Sequence, residues 1–436
     1  MNTTKTVLSA TLACLLFSGT ATADTAIGAY VNHDGWTTRT IDELNDSTTR
    51  AAATINLFSS FDYNWWGHLR YQASNIVSRN ATPLITWMPY KRDRPNANIL
   101  QEISSGQFDG YIYSWIDGFK YWRSTYPADQ QPKIALRFAH EFNGTWYPWG
   151  DRPEDLKTAW RYLHAKFVVA GISDAVDWVW CANNVDVDSY DDITQYYPGD
   201  DVVDWLSLDG YNWGSNYSFS SWKSFDETFS QQYVKMISNY PGKPIMLGEV
   251  SSAEPHDLPN ASWGQNGDDS DAGESKEEWV ADMMQSIQSY YPAIKSIVWF
   301  NTNKELKWGL NLEGNTGLSA YNHAVSDPYF AGTMNPEPIG LEPSSVEEPS
   351  LQARAGAGDT ATTENLLQAK SGNNKSVKIA DSSSKGNAYG LSKRPEIKGV
   401  SKLKKEAAGL RKMNRKLLKK WRLESILPAD VDKRNQ

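Results

Sequence analysis

Eight short apolar runs alternate with helix-like segments between residues 24 and 335, and this alternation restricts the fold more than any other feature of the chain. The runs are rich in β-branched and aromatic residues, which is typical of strands buried on both faces. They are AIGAYV at 26–31, AATINLF at 52–58, TPLITW at 82–87, KIALRF at 133–138, VDWVW at 176–180, VDWLSL at 203–208, KPIMLG at 243–248 and KSIVWF at 295–300.

Helical patterns lie between these runs. Apolar residues over 108–122 repeat with i, i+3, i+4 spacing. Pro153 is placed to begin another helix, and Ser275 followed by Glu278 has the pattern of a capping box. Strands that alternate with helices predict a parallel sheet, so we expect an α/β protein with a (β/α)8 TIM barrel over 24–335. An open doubly wound sheet is the alternative.

The composition changes outside the predicted barrel. Residues 1–23 combine Lys5, an apolar stretch and an Ala-Thr-Ala end, which predicts a signal peptide and a secreted or periplasmic protein. Residues 336–399 are rich in Pro, Gly, Ser and Glu and predict a disordered linker. Residues 400–436 space a few apolar side chains among Lys and Arg, which predicts a basic amphipathic helical tail.

Charge separates the tail from the rest of the chain. Residues 351–436 carry 20 Lys and Arg against 8 Asp and Glu, whereas the whole chain carries 43 against 52. An acidic body with a basic tail indicates two regions with different roles. We expect the tail to contact a membrane surface or an anionic polymer, with an exposed, protease-sensitive segment as the alternative. The barrel is expected to be a monomer without a nucleic-acid partner.

Polar and aromatic residues occur at the ends of four predicted strands, where the chemistry of a TIM barrel takes place. They are His140 and Glu141 after the fourth strand, Asp209 and Tyr211 after the sixth, Glu249 after the seventh and Trp299 within the eighth. Two glutamates at one barrel mouth supply the proton donor and the nucleophile that glycoside hydrolysis requires.

Each of these residues also has a structural interpretation. A single strand-end glutamate such as Glu141 is more often paired inside the core, here with Arg137, than catalytic. Arg137 is expected to pair with a strand-end carboxylate in either case. A strand tryptophan such as Trp299 more often fills the core, Trp87 fits a core or a sugar platform equally well, and Asp209 fits a loop cap. The second strand-end glutamate favours the catalytic interpretation.

The sequence predicts neither a metal site nor a cofactor. A zinc protease helix needs His-Glu-x-x-His, but Gly144 occupies the position four residues after His140. The acidic stretches at 186–192 and 266–274 do not have the pattern of an EF-hand loop, so we interpret them as solvated loops and not as calcium sites.

The stretch RFAHEFNGTWYPWG at 137–150 resembles the signature of glycoside hydrolase family 26, in which His-Glu is followed by Asn-Gly, a Trp and a Trp-Gly. LITWMPY, LDGYNW and KPIMLGEVSS fall in matching order, and the resemblance covers roughly 24–335. It implies a (β/α)8 barrel of retaining β-glycosidases. Most members are endo-β-1,4-mannanases, and some act on mixed-linkage β-glucan or β-1,3-xylan.

The resemblance also implies roles for single residues. Glu141 corresponds to the acid/base and Glu249 to the nucleophile, and Tyr211 is expected to donate a hydrogen bond to Glu249. Sugar-contacting or supporting roles are implied for His140, Trp146, Asp209 and Trp299, with Trp299 as the platform under the sugar at the cleavage point. Asn143, Trp149, Tyr211 and Trp87 are further candidates for substrate binding.

We therefore expect a secreted retaining endo-β-glycosidase that binds a polysaccharide, with β-1,4-mannan as the first substrate. A mixed-linkage β-1,3-1,4-glucanase or a β-1,3-xylanase of the same family is the alternative. A non-catalytic carbohydrate-binding barrel is the alternative from another class. The signature departs from the mannanase pattern at Tyr147-Pro148, and the nucleophile is followed by Val250-Ser251. Both departures concern the substrate and not the catalytic pair.

Overall fold

The computed structural model describes residues 24–62, 66–187, 192–217, 220–255 and 273–334. In this part of the chain eight parallel strands form a closed barrel in chain order, and the last strand pairs with the first. The closure confirms the predicted (β/α)8 barrel and excludes the open sheet. The strands are β1 Ala26–Val31, β2 Thr54–Ser60, β3 Thr82–Met88, β4 Ile134–Phe138, β5 Val176–Asn183, β6 Trp205–Asn212, β7 Ile245–Ser252 and β8 Ile294–Asn301.

The helices surround the barrel. Pro153 is the first residue of its helix, as predicted, and the Ser275 side chain accepts the backbone N–H of Glu278 at 3.2 Å. None of the described helices is long and apolar enough to cross a membrane. They are α1 Thr38–Ser47, α2 Trp66–Val77, α3 Leu100–Ser104, α4 Asp109–Ser124, α5 Pro153–Val169, α6 Phe225–Asn239, α7 Lys276–Tyr290 and α8 Leu318–Val325.

Several predicted features lie outside the described residues. These are the signal peptide at 1–23, the linker at 336–399, the basic helical tail at 400–436 and most of the acidic stretch at 266–274. The acidic stretch at 186–192 is described at its two ends. There, Asp186 and Asp192 both pair with Lys235, at 2.7 and 3.2 Å. These two carboxylates therefore already have a cationic partner from the protein.

Several strands, β6 and β7 among them, extend beyond the apolar runs that predict them. The runs end at 208 and 248 because polar or charged side chains follow, but β6 continues to Asn212 and β7 to Ser252. Asp209, Tyr211 and Glu249 are therefore strand residues. Side chains on strands are held more precisely than side chains on loops, because the backbone is hydrogen-bonded to both neighbours.

Side chains alternate between the barrel interior and the surrounding helices. Thr86 in β3 points inwards, where its hydroxyl accepts a hydrogen bond from Arg137 of β4 at 2.8 Å. The neighbouring position, Trp87, consequently points towards the helices, and the same parity applies to Trp299 in β8. One buried apolar cluster draws a side chain from each of six strands: Leu84, Ala135, Val179, Trp205, Met246 and Val298.

Trp87 is a core residue between β3 and α4. Its ring is fully buried and stacks on Phe61 and Trp115, each at a centroid distance of 4.8 Å. Its indole N–H donates to the hydroxyl of Tyr111 at 3.2 Å. The core interpretation of Trp87 is therefore correct, and its assignment as a sugar contact is wrong.

Trp299 also faces the helices. Its ring is 1% exposed and packs edge-to-face on Trp279 of α7 and Tyr321 of α8. The indole N–H donates to the backbone carbonyl of Trp308 at 2.9 Å. The platform predicted at Trp299 is therefore wrong, because the two-residue period of the strand places Phe300 and not Trp299 on the mouth side.

The placement of Trp87 leads to a stability test. We expect Trp87→Ala to lower the free energy of unfolding by about 3–5 kcal/mol, because a buried tryptophan leaves a large cavity. Chemical denaturation measures this change. Tyr121→Ala is the control, since Tyr121 is 64% exposed on α4 and should change stability by no more than about 0.5 kcal/mol. Unchanged stability with weakened polysaccharide binding in Trp87→Ala would return this residue to the platform role.

Candidate active site

A buried guanidinium group organises the mouth of the barrel. Arg137 in β4 is inaccessible to solvent and donates to Asp209 at 2.8 Å and to Glu249 at 2.6 Å. Burial alone would lower the pKa of Arg137, but the charges of Asp209 and Glu249 raise it above its usual value. Arg137 is therefore a cation, and the prediction that it pairs with a strand-end carboxylate is confirmed. Its ion pairs involve Asp209 and Glu249 and not Glu141.

Glu249 is fixed at both of its carboxylate oxygens. Oε1 accepts from Arg137, and Oε2 accepts the hydroxyl of Tyr211 at 2.5 Å. The predicted hydrogen bond between Tyr211 and Glu249 is thus present. Glu249 is 2% exposed, so its carboxylate has one orientation set by a cation and a phenol.

Gly248 leaves the space that this ion-pair cluster needs. A Cβ atom at this position would lie 2.5 Å from the Ser207 hydroxyl, 2.7 Å from Oδ1 of Asp209 and 2.8 Å from Nη1 of Arg137. Non-bonded atoms do not approach so closely in a packed interior. Any larger residue before Glu249 would displace the guanidinium group or its partner.

Glu141 lies in a backbone turn directly after β4. Its φ is +53° and that of Ala139 is +49°, values that non-glycine residues rarely adopt and that cost roughly 1–3 kcal/mol each. The amide N–H of Glu141 donates to the carbonyl of Cys181 at 2.9 Å, which holds the turn against β5. The carboxylate accepts Nδ2 of Asn183 at 2.9 Å and the indole N–H of Trp146 at 2.6 Å.

The surroundings of Glu141 suit proton transfer. Burial, and secondarily the charge of Glu249, raises the pKa of Glu141 to about 7, although the hydrogen bonds from Asn183 and Trp146 act in the opposite direction. A carboxyl group with this pKa carries a proton in slightly acid solution and releases it near neutrality. A general acid that later acts as a base needs this property.

Trp146 reaches Glu141 because position 144 is a glycine. A Cβ atom at Gly144 would lie 2.4 Å from the indole ring of Trp146. The side chain of Trp146 is half-buried, so part of its ring is open at the mouth. The Asn-Gly-x-Trp pattern of the signature therefore allows the indole of Trp146 to reach the carboxylate of Glu141.

Asn143 and Trp149 support the turn from inside and do not line the groove. Asn143 donates to the carbonyl of Asn183 at 3.0 Å and accepts the Asn183 backbone N–H at 2.8 Å, so it positions the amide that bonds Glu141. Trp149 is 1% exposed, and its indole N–H donates to the carbonyl of His140 at 2.8 Å. The expectation of direct sugar contact is thus corrected for both residues, because each is buried.

His140 is a buried, neutral imidazole. Its ring lies 4.9 Å from that of Tyr147 and 6.0 Å from that of Phe58. Burial, together with the charge of Arg137, lowers the pKa of His140 well below its usual value. Neither ring nitrogen has a hydrogen-bond partner in the described part of the chain. A neutral imidazole offers one donor and one acceptor, but this ring is fully buried, so its contact with a sugar hydroxyl stays a prediction.

One set of side chains at the mouth has the spacing of metal ligands. Atoms of His140, Asp209 and Glu249 lie within 4.8 Å of one another. The guanidinium group of Arg137 already bonds both carboxylates, and a second cation at this distance would be repelled strongly in a buried site. The set therefore does not fit a metal ion.

Sequence reasoning missed three aromatic residues within β1, β2 and β8. Tyr30 stacks on Phe300 at a centroid distance of 5.0 Å, and Phe58 packs edge-to-face on Tyr30 at 5.4 Å. Phe300 also contacts the ring of Tyr211 at 5.6 Å, which joins this group to Glu249. The alternation of side chains along β8 was the available signal for Phe300. Phe300 lies two residues after Val298, so both side chains face the same side of the strand.

Asn183 and Glu305 were missed for other reasons. Asn183 lies beyond the fifth apolar run, which ends at 180, but within β5. Glu305 lies in the connection after β8 and accepts the indole N–H of Trp308 at 3.1 Å. Burial raises the pKa of Glu305, and Glu249 adds to this shift, so Glu305 is a further carboxyl group near the mouth, besides Glu141, Asp209 and Glu249. Sequence gives no signal for a residue of this kind.

Comparisons with known proteins agree with this geometry. Residues 27–243 match the family model of glycosyl hydrolase family 26. Endoglucanase H of Acetivibrio thermocellus is 30% identical over 314 residues, which is 69% of this chain and 30% of that protein. A β-1,3-xylanase of an Alcaligenes species is 21% identical over 242 residues, which is 53% of this chain and 46% of that protein. The chain thus spans less than half the length of these relatives.

A solved structure supports the fold. The catalytic domain of the family 26 endo-β-1,4-mannanase of Bacillus sp. JAMB-750 is similar with a TM-score of 0.51 at 16% identity, over 70% of this chain and 86% of that one. The family model covers the strands from β1 to β6 together with the turn that carries Glu141, and the closed barrel completes the architecture. The barrel of this chain belongs to glycosyl hydrolase family 26, a family of glycosidases.

Proposed function

We propose that this chain is a retaining endo-β-glycosidase in which Glu249 is the nucleophile and Glu141 is the acid/base. The observation that carries the proposal is the difference between the two carboxyl groups. Glu249 is bonded to the Arg137 cation and the Tyr211 hydroxyl, whereas the pKa of Glu141 lies near 7. One group is thus suited to attack as an anion and the other to give and take a proton.

In the first step Glu249 attacks the anomeric carbon of the sugar, and the glycosidic C–O bond breaks. Glu141 transfers its proton to the leaving oxygen, so the departing chain leaves as a neutral alcohol. The product is an ester between the sugar and Glu249. Arg137 and Tyr211 keep the attacking carboxylate in place during this step.

In the second step the ionised Glu141 accepts a proton from water, and the water oxygen attacks the anomeric carbon. The ester bond breaks, and Glu249 leaves as a carboxylate next to Arg137. Two inversions at the same carbon give net retention. A non-catalytic binding barrel would need neither carboxyl group, so the fixed anion at Glu249 and the protonatable Glu141 favour the enzyme.

Two substrates fit the proposal. A β-glucan comes first, because the relative that aligns over 69% of this chain is named an endoglucanase. The family signature at 137–150 favours β-1,4-mannan, the first expectation from the sequence, as the second candidate. Glu141, Glu249 and Arg137 act at the bond being cleaved. Their contacts do not distinguish one sugar from another.

The substrate is tested by measuring new reducing ends from barley β-glucan, β-1,4-mannan, β-1,3-xylan and carboxymethylcellulose in parallel. We expect the highest rate on barley β-glucan and little or no release from β-1,3-xylan. A preference for mannan would reverse the order of the two candidates. No release from any of the four by a folded protein would contradict the enzyme itself.

The roles of the two glutamates are distinguished by how the activity of each variant depends on the leaving group of the substrate. We expect Glu249→Ala to abolish hydrolysis of every substrate. Glu141→Ala should lose roughly 10²- to 10⁴-fold on polysaccharide but still form the glycosyl-enzyme from an aryl glycoside, whose leaving group needs no proton. Added azide should then rescue Glu141→Ala and yield a β-glycosyl azide, which NMR identifies.

Glu154→Ala is the control for this pair, since the Glu154 side chain is 83% exposed on α5 and should retain the parental rate. Rescue of Glu249→Ala with an α-azide product would exchange the two roles. Full activity in both Glu141→Ala and Glu249→Ala would show that the barrel does not use these carboxyl groups.

The pH profile tests the environment of Glu141. The acid must be protonated to act, so kcat/KM should fall as pH rises through about 7. Trp146→Phe removes an N–H that bonds the Glu141 carboxylate and should move this decline to higher pH. Trp149→Phe removes an N–H that bonds the His140 carbonyl and should leave the decline in place. A decline that stays or moves to lower pH in Trp146→Phe would assign it to another group.

A further inference from the structure

We propose that an exposed aromatic strip beside the mouth binds a second stretch of the polysaccharide outside the active site. The strip is formed by Trp36, His68 and Tyr71. Its occupant is a β-linked glycan chain, and this choice of ligand rests on the proposed function.

The three side chains form one surface. Trp36 is 43% exposed, and its ring packs edge-to-face on that of His68 at a centroid distance of 5.2 Å. Tyr71 lies one turn after His68 on α2 and is 53% exposed. Among the described residues, Trp36 is the one tryptophan with more than a third of its side chain in solvent. A large exposed indole needs an explanation, because the other tryptophans in the described ranges are buried or half-buried.

The strip lies on the same face of the barrel as the active site. Trp36 follows the C-terminal end of β1 after the short turn Asn32–Gly35, and His68 is in the first turn of α2, which follows β2. Strand C-termini and helix N-termini share the catalytic face of this fold. Within the turn, Asp34 accepts the backbone N–H of Phe58, a residue of the mouth, at 3.4 Å. The turn thus joins the strip to the mouth.

The backbone before Trp36 is held in an unusual conformation. The three residues of 33–35 have φ values of 67°, 48° and 70°, and two of them are not glycines. Gln72 and Asn75 of α2 donate to carbonyls of this turn at 2.9 and 3.0 Å, which maintains it. Strain of this kind persists where the surrounding structure over-determines it, and it occurs mainly at functional positions. Here its consequence is a tryptophan fixed on the surface before any ligand arrives.

The chemistry of the strip fits a sugar chain. Aromatic rings offer flat apolar faces with polar edges, which match the C–H faces and hydroxyl rims of pyranose rings. The guanidinium group of Arg70 lies 4.8 Å from the centre of the Tyr71 ring and donates to its hydroxyl at 3.0 Å, so that ring is supported as well. A stable protein interface buries about 800 Å² per partner over 20–30 residues, far more than this strip supplies. A glycan needs only a few stacking positions.

The test measures binding without cleavage. In the Glu249→Ala background, migration in native gels that contain barley β-glucan or β-1,4-mannan gives a dissociation constant from the retardation. We expect Trp36→Ala to weaken binding about fivefold, equivalent to about 1 kcal/mol for one lost stacking contact. Tyr71→Ala should weaken it less, and Trp36→Phe should keep part of it. A saturating short oligosaccharide, which fills the mouth, should leave the Trp36-dependent retardation in place.

Exposed tyrosines elsewhere on the barrel provide matched controls. Tyr121 on α4 and Tyr290 on α7 are 64% and 67% exposed, and Tyr121→Ala and Tyr290→Ala should migrate like the parent. Thermal unfolding confirms that each variant is folded. Equal retardation of the parent and both Trp36 variants, equal losses in the tyrosine controls, or no retardation of the parent by either glycan overturns the proposal.

A different result would contradict the proposed function. If the wild-type chain cleaves no glycan but its retardation still depends on Trp36, the strip stands and the hydrolase assignment falls. If the wild-type chain cleaves glycan and retardation does not depend on Trp36, the hydrolase assignment stands and the strip falls.

Discussion

The architecture of the mouth depends on one buried positive charge. Arg137 has no access to solvent, so its guanidinium group needs carboxylate partners within hydrogen-bond distance, and β6 and β7 supply them as Asp209 and Glu249. An unpaired buried charge would cost several kcal/mol. Three strands that are distant in sequence are therefore fixed relative to one another by the cluster that also orients the proposed nucleophile. The cluster has enough space because position 248 is a glycine.

The same cation makes the two glutamates different. Glu249 is bonded directly to Arg137, whereas the Glu141 carboxylate is oriented towards the neutral donors Asn183 and Trp146, which bond it. Burial, together with the charge of Glu249, then raises the pKa of Glu141 to about 7, and the hydrogen bonds from Asn183 and Trp146 and the charge of Arg137 offset only part of this shift. The turn with positive φ at Ala139 and Glu141 produces this orientation. Backbone strain after β4 is thus linked to the proposed division of roles between Glu141 and Glu249.

Most described non-glycine residues with positive φ lie at the catalytic face, Asn80 being the exception. The left-handed residues at 33–35, at 139 and at 141 follow the ends of β1 and β4, and a register shift between Leu208 and Asp209 interrupts the pairing of β6 with β7. The regular strands and helices of the barrel are packed by apolar side chains, and this packing offsets the energetic cost of the strained turns. The barrel therefore acts as a rigid support, while the strained turns place Glu141 inside the mouth and Trp36 on its rim.

The sequence by itself determined the eight strands and the barrel, because apolar periodicity is a local property of the chain, and its strand-end motifs predicted Glu141 and Glu249 as the carboxyl pair. It did not determine that Trp87 and Trp299 face the helices, that Phe300 faces the mouth or that Asn183 bonds Glu141. These outcomes depend on which alternate residues of each strand face the barrel interior. They also depend on how far the strand continues beyond its apolar run. Only pairing with neighbouring strands decides both, since the hydrogen bonds that extend β5, β6 and β7 come from residues far away in sequence.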